Sequence, residues 1–150
     1  MFALKGSSPS RPVENGFLCT YFLGAVAPSS GQSFGLMFDE LDSGIFQLYL
    51  NSLAKQLDKN SVYLMILDNA SYHKTDELVW PKNIYPHFNP PYHPEFNPQE
   101  RVWLDMKEKL SGTIYGNKEN IYNSVAKQWN SYSKTKLKSL TSRPWMEVAN

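Results

Sequence analysis

Apolar residues recur along the chain at two different spacings, and the switches between them mark out an order of elements. Gly16 to Ala27 (GFLCTYFLGAVA) is dense in aromatic and β-branched residues, and after the turn-forming PSSGQ comes a second such run, SFGLMF. The pair predicts an antiparallel hairpin. From Ser43, which suits an N-cap, Ile45, Leu48, Tyr49, Leu53 and Leu57 recur at helical spacing, so one face of this segment can dock on a sheet. Val62 to Leu67 (VYLMIL) is a continuous apolar run of strand length, as expected of a strand buried on both faces, and Asp68 stands at its C-terminal end. A short helix is predicted over Lys74 to Trp80, then a short extended segment from Asn83 to Phe88, limited by Pro81, Pro86 and Pro90. Beyond the rigid connector PPYHPEFNP, Asn97 suits an N-cap, Pro98 the first helical position and Glu100 the third, in a helix running to Leu110. After Gly112 another helix, Lys118 to Tyr132, sets Ile121, Val125 and Trp129 on one stripe. Residues 1–12, rich in Ser, Pro, Lys and Gly, read as loop.

Hairpin, helix, buried strand and helix in this order describe an α/β layer fold, a sheet covered by helices. With 150 residues, 41% of them hydrophobic, the chain is the size of one domain with a sizeable core, residues 134–150 being set apart as a basic tail. No apolar stretch approaches the roughly 18 to 20 residues that span a bilayer, and MFALKGSSPS lacks the apolar run of a secretory signal. A cytoplasmic protein with no membrane partner is expected. Cys19, alone in an apolar run, reads as a small buried hydrophobe. Net charge is only +1, but residues 1–100 hold six Lys/Arg against ten Asp/Glu (−4) and residues 101–150 hold nine against four (+5). The basic second half hints at a nucleic-acid face; the plainer alternative is a solvated surface of mixed charge.

Two carboxylates stand where chemistry is often placed. Asp68 follows a buried strand, and open α/β sheets bind ligands in the crevice outside the carboxyl ends of their strands. Its structural alternative is a turn-forming Asp bonded to nearby backbone. Glu100 likewise has the plain role of a capping-box acceptor behind Asn97. The three histidines, His73, His87 and His93, fit no common zinc spacing, and Trp80, Trp103, Trp129 and Trp145 read as core and anchoring groups.

The composite is more specific than its parts. Strand-terminal LDNASYHK, followed at a distance by PPYHPEFNPQERVW, resembles the core of mariner-superfamily transposases, in particular the bacterial insertion-sequence branch of the DDE superfamily endonucleases. There a strand-end "DNA(S)xxH" precedes "PPYSPxxNPIExxW"; the matching residues are Asp68, Asn69, Ala70, Ser71, His73, Pro90, Pro91, Tyr92, Pro94, Asn97, Pro98, Glu100 and Trp103. Weaker likeness reaches back through Ala3-Leu4-Lys5-Gly6 ("WAxKG") and Leu23-Gly24-Ala25, so it covers nearly the whole chain.

The resemblance implies a ribonuclease H-like mixed sheet flanked by helices, in which three carboxylates hold two Mg2+ (or Mn2+) ions for DNA strand cleavage and strand transfer at transposon terminal inverted repeats. By it Asp68 is the second ligand and Glu100 the third, Asn69, His73, Asn97, Pro98 and Trp103 are supporting motif residues, and His73 lies near the active-site rim. The interval of 31 residues between the two carboxylates is a little shorter than is usual, which reads as a trimmed connector. In the family the first Asp ends a first strand upstream of "WAxKG". The chain therefore reads as an N-terminally truncated, partial catalytic domain with that strand and ligand absent, inactive alone, its sheet completed by an upstream transposase segment or a homo-oligomer. The alternative is a non-catalytic DNA-binding or transposase-dimerising remnant. Asp39 in MFDEL is a tempting substitute for the first ligand, but it closes the second strand of the hairpin and matches the wrong place in the order.

Overall fold

The computed structural model describes residues 2–7, 10–13, 16–70, 73–93 and 97–143, with side chains from residue 20 onward. Its elements are β1 (Phe2–Ser7), β2 (Ser10–Val13), β3 (Gly16–Cys19), β4 (Tyr21–Val26), β5 (Ser33–Phe38), α1 (Ser43–Gln56), β6 (Tyr63–Leu67), β7 (Ile84–Phe88), α2 (Glu100–Leu110), α3 (Lys118–Asn130) and α4 (Lys134–Thr141). Five strands form a mixed sheet in the order β5-β4-β1-β6-β7, and β2 pairs with β3 as a separate ribbon. The predicted hairpin is β4–β5, antiparallel from Tyr21↔Phe38 to Val26↔Ser33. The long run before it divides, because Gly16–Cys19 pairs with Ser10–Val13 instead.

The main departure from expectation lies at the centre of the sheet. Phe2–Ser7, read as loop, is the central strand, antiparallel to β4 (Leu4↔Ala25) and parallel to β6 (Leu4↔Leu67). Without it, β4 and β6 would each leave a row of backbone donors and acceptors facing an empty gap, a cost large enough to override the weak strand propensity of a Lys- and Gly-containing segment. The gap expected at the first-strand place is thus filled, but by FALKGS, which carries no aspartate.

Alternation along the strands directs side chains to two cores. On one face Leu23, Ala25, Met65, Leu67 and Ile84 meet Phe46, Tyr49, Leu50 and Leu53 of α1. On the other, Phe22 and Val26 meet Val102, Trp103 and Met106 of α2, Ile121, Val125 and Trp129 of α3, and Leu137 of α4. Gly24 is required here: a Cβ would lie 2.9 Å from the indoles of both Trp103 and Trp129. The apolar stripe of α1 runs through Phe46 and Leu50, while Leu48 is exposed, and its N-cap is Asp42, which accepts from Ile45 N at 2.8 Å, rather than Ser43.

Several predicted boundaries shift. Val62 and Leu64 are exposed, so β6 is covered on both faces only over Met65, Ile66 and Leu67. Residues 74–80 form turns instead of a helix, with Leu78 N donating to Thr75 O at 3.2 Å. The segment expected as a basic tail contains α4, capped by Ser133 and anchored by buried Leu137 and Thr141; residues 144–150, Trp145 among them, lie outside the described residues. Among the described residues no helix is long and apolar enough to cross a membrane.

Candidate active site

Asp68 directly follows β6, next to the central strand and beyond its C-terminal end. Its Oδ1 accepts from Ala70 N at 3.1 Å, the turn-closing bond anticipated as its plain role. The same oxygen lies 3.0 Å from His73 Nδ1, which is also 3.3 Å from the Asp68 carbonyl oxygen. Both of those oxygens are acceptors, so Nδ1 carries the hydrogen. His73 was expected at the rim; it is buried instead, its ring 4.6 Å from that of Phe46, and it supports Asp68 from behind. Asp68 itself keeps 38% of its side-chain surface exposed.

The loop after β7 is tied to the same strand end. Asn69 Nδ2 donates to Asn89 O, and Asn89 N donates to Leu67 O at 2.8 Å. The chain then turns through Pro90 and Pro91 to Tyr92, whose φ is +63°. Ser71 and Pro94 of the motif lie outside the described residues.

Glu100 opens α2. Asn97 does not cap the helix directly: it is buried and closes a turn, its Oδ1 accepting from Gln99 N at 3.0 Å, and Pro98 lies buried within that turn. Helical geometry begins two residues later than expected, and a carboxylate in the first turn suits the positive end of the helix dipole. The buried Gln99 side chain reaches the sheet, Nε2 donating to Gly24 O at 2.8 Å. Trp103 is core: it stacks on Trp129 at 6.1 Å and meets Phe22 edge-on at 5.7 Å. Gln99 and Trp103 thus fix the end of α2 that carries Glu100.

These pieces converge on one cavity of about 170 Å³, lined by Asp68, Asn69, Asn89, Pro90, Pro91, Tyr92, His93, Asn97 and Glu100. Gln99 and Asn89 were not singled out from sequence, and Tyr92 only as a residue of the PPY motif; a buried Gln contacts backbone far along the chain, and nothing local signals it. Asp39 stands apart. It follows β5, three strands from β6, or about 14 Å at the usual inter-strand spacing, and is bonded by the Tyr122 hydroxyl and, at 3.6 Å, by Lys118 Nζ. Among the described residues no three His, Cys, Asp or Glu side chains are grouped to hold a metal. Asp68 and Glu100 are the carboxylates that line the pocket.

Residues 1–122 match the family model of the DDE superfamily endonucleases. A protein of Sinorhizobium fredii, described as uncharacterized, is 34% identical over 126 residues, covering 83% of this chain and 87% of its own length. Among solved structures, a chain of the Mos1 strand transfer complex matches 93% of this chain with a TM-score of 0.68 at 15% identity. A chain of the simian T-cell lymphotropic virus intasome, in complex with a PP2A regulatory subunit, matches 93% with a TM-score of 0.55 at 14% identity. This chain spans 50% and 46% of those two chains. At such identities the likeness is one of fold, and the fold is the ribonuclease H-like mixed sheet flanked by helices.

Proposed function

The chain belongs to the DDE superfamily endonucleases, and accordingly we propose that its pocket between β6 and α2 is the DNA-facing, metal-holding part of a transposase catalytic site. One observation carries this reading: Asp68 and Glu100, separated by 31 residues, line the same cavity. Their hard carboxylate oxygens fit Mg2+ or Mn2+, and neither residue is buried. Asp68 and Glu100 would hold the cation, which when bound supplies Lewis-acid polarisation of a phosphoryl oxygen. The remaining residues position: His73 and Ala70 N–H orient Asp68, and Gln99 holds the start of α2 against Gly24. The partner is DNA carrying transposon terminal repeats, its phosphates met by the basic second half of the chain.

Two carboxylates without a third hold two ions poorly, so the chain alone leaves DNA uncut. A third carboxylate brought to the pocket by another transposase segment or a second copy would complete the set. The reading as a non-catalytic DNA-binding remnant is favoured by one observation, that the central strand FALKGS has no carboxylate. The test pairs Mn2+ titration calorimetry with a nicking assay on terminal-repeat duplex. Mn2+ binding should weaken in both Asp68→Asn and Glu100→Gln, with the duplex intact. Binding that ignores both substitutions would sink the site; Mg2+-dependent nicking by the chain alone, lost in Asp68→Ala, would sink its inactivity.

A further inference from the structure

Resting on the reading of the pocket as DNA-facing, we propose that Tyr92 is a base-stacking residue, its ring receiving an unstacked nucleobase beside the phosphate held at Asp68 and Glu100. Its exposure is the first observation. Tyr92 is 98% exposed, the highest value among the exposed large hydrophobic residues described, although an aromatic ring gains most by burial. Its backbone is the second: among the described residues it is the one non-glycine residue with positive φ, a conformation costly for an L side chain that glycine would take without strain. Its place is the third, because this exposed residue lines the cavity that holds both carboxylates.

The loop that carries Tyr92 is restrained on the side that precedes it. Pro90 and Pro91 restrict the backbone before it, and buried Asn89 is bonded to Asn69 Nδ2 and Leu67 O. A tyrosine on such a support has only two side-chain torsions to order, so an aromatic partner can be held at little entropic cost. The chemistry of the pocket selects the partner. If a phosphodiester lies at Asp68 and Glu100, the planar apolar group nearest to it is a base of the same strand, and stacking accepts any base. Trp103 and Trp129 are committed to the core and cannot serve.

The experiment uses the full 150-residue chain with Mn2+ and a single-stranded oligonucleotide containing 2-aminopurine, a base whose fluorescence is quenched by stacking. Wild type and Tyr92→Phe should bind with a quench. Tyr92→Ala and Tyr92→Gly should lose the quench and bind about tenfold more weakly. Tyr92→Gly also relieves the backbone strain, so its loss of binding cannot be put down to a damaged fold. Wild-type binding without a quench, or a glycine variant that keeps both quench and affinity, overturns the stacking role and leaves the metal site standing. Mn2+ binding indifferent to Asp68→Asn and Glu100→Gln is the separate failure of the site beneath it.

Discussion

Asp68 is positioned by two neighbours that act on one oxygen: the Ala70 N–H closes the turn, and His73 Nδ1 approaches from the buried side. Orientation of this kind is worth about 10- to 100-fold in metal affinity where it supports a ligand. His73→Leu keeps apolar volume beside Phe46 but has no donor, and is expected to weaken Mn2+ binding at least tenfold by calorimetry. Asp39→Asn, three strands away, should leave it unchanged. That His73 accompanies Asp68 is legible in DNASYH; that it is buried is not, since its cover comes from α1, 27 positions earlier at Phe46. Gln99 is the same lesson in reverse. Its position before Glu100 is plain, but its bond to Gly24 joins residues 75 apart.

At the scale of elements, α3 is fastened to the edge strand β5 by a titratable contact. The Tyr122 hydroxyl first, and Lys118 after it, hold Asp39 below its usual 3.8. Burial first, then the Asp39 carboxylate, push Tyr122 from 10.0 up to about 12. A raised tyrosine favours the folded state while neutral: its contribution is whole below pH 10.0 and is lost as pH rises through about 12. The lowered aspartate works at the other end, its contribution present above 3.8 and lost as pH falls below it. Tyr122→Phe should therefore flatten the alkaline decline in urea midpoint between pH 10.0 and about 12; an unchanged decline would show that the contact does not couple to folding. Helix α4 has its own lesson. Its sequence reads as part of a basic tail, yet Leu137 and Thr141, four apart on one face, are buried, Leu137 in the cluster it shares with α2 and α3.

For the molecule as a whole, the central strand decides whether the two halves of the sheet form one body. β1 pairs on both sides, with β4 over Ala3–Ser7 and with β6 over Phe2–Leu4. Leu4 stands in both ladders, opposite Ala25 and Leu67. Proline in mid-sheet removes a donor and clashes with its neighbours, so Leu4→Pro should abolish the cooperative thermal transition followed by circular dichroism. A sharp transition at the wild-type temperature would mean that β4 and β6 do not depend on this strand.

Sequence alone determined the hairpin β4–β5, helices α1 to α3, strand β6 and the two carboxylates at the ends of β6 and the start of α2. Each of these is written in local periodicity, in turn-forming residues or in a compact motif. Tertiary structure decided the remainder: that FALKGS is the central strand, that α4 is packed, that His73 lies behind Asp68, and that Asp68, Glu100 and Tyr92 share one pocket. The physical reason is common to all four. Backbone pairing and burial depend on which distant segment stands opposite, and a gap between two strands can order a segment whose own composition favours a loop. The pair Asp68 and Glu100 is a motif in the sequence; the two come to line one pocket only where β6 and α2 bring their ends together.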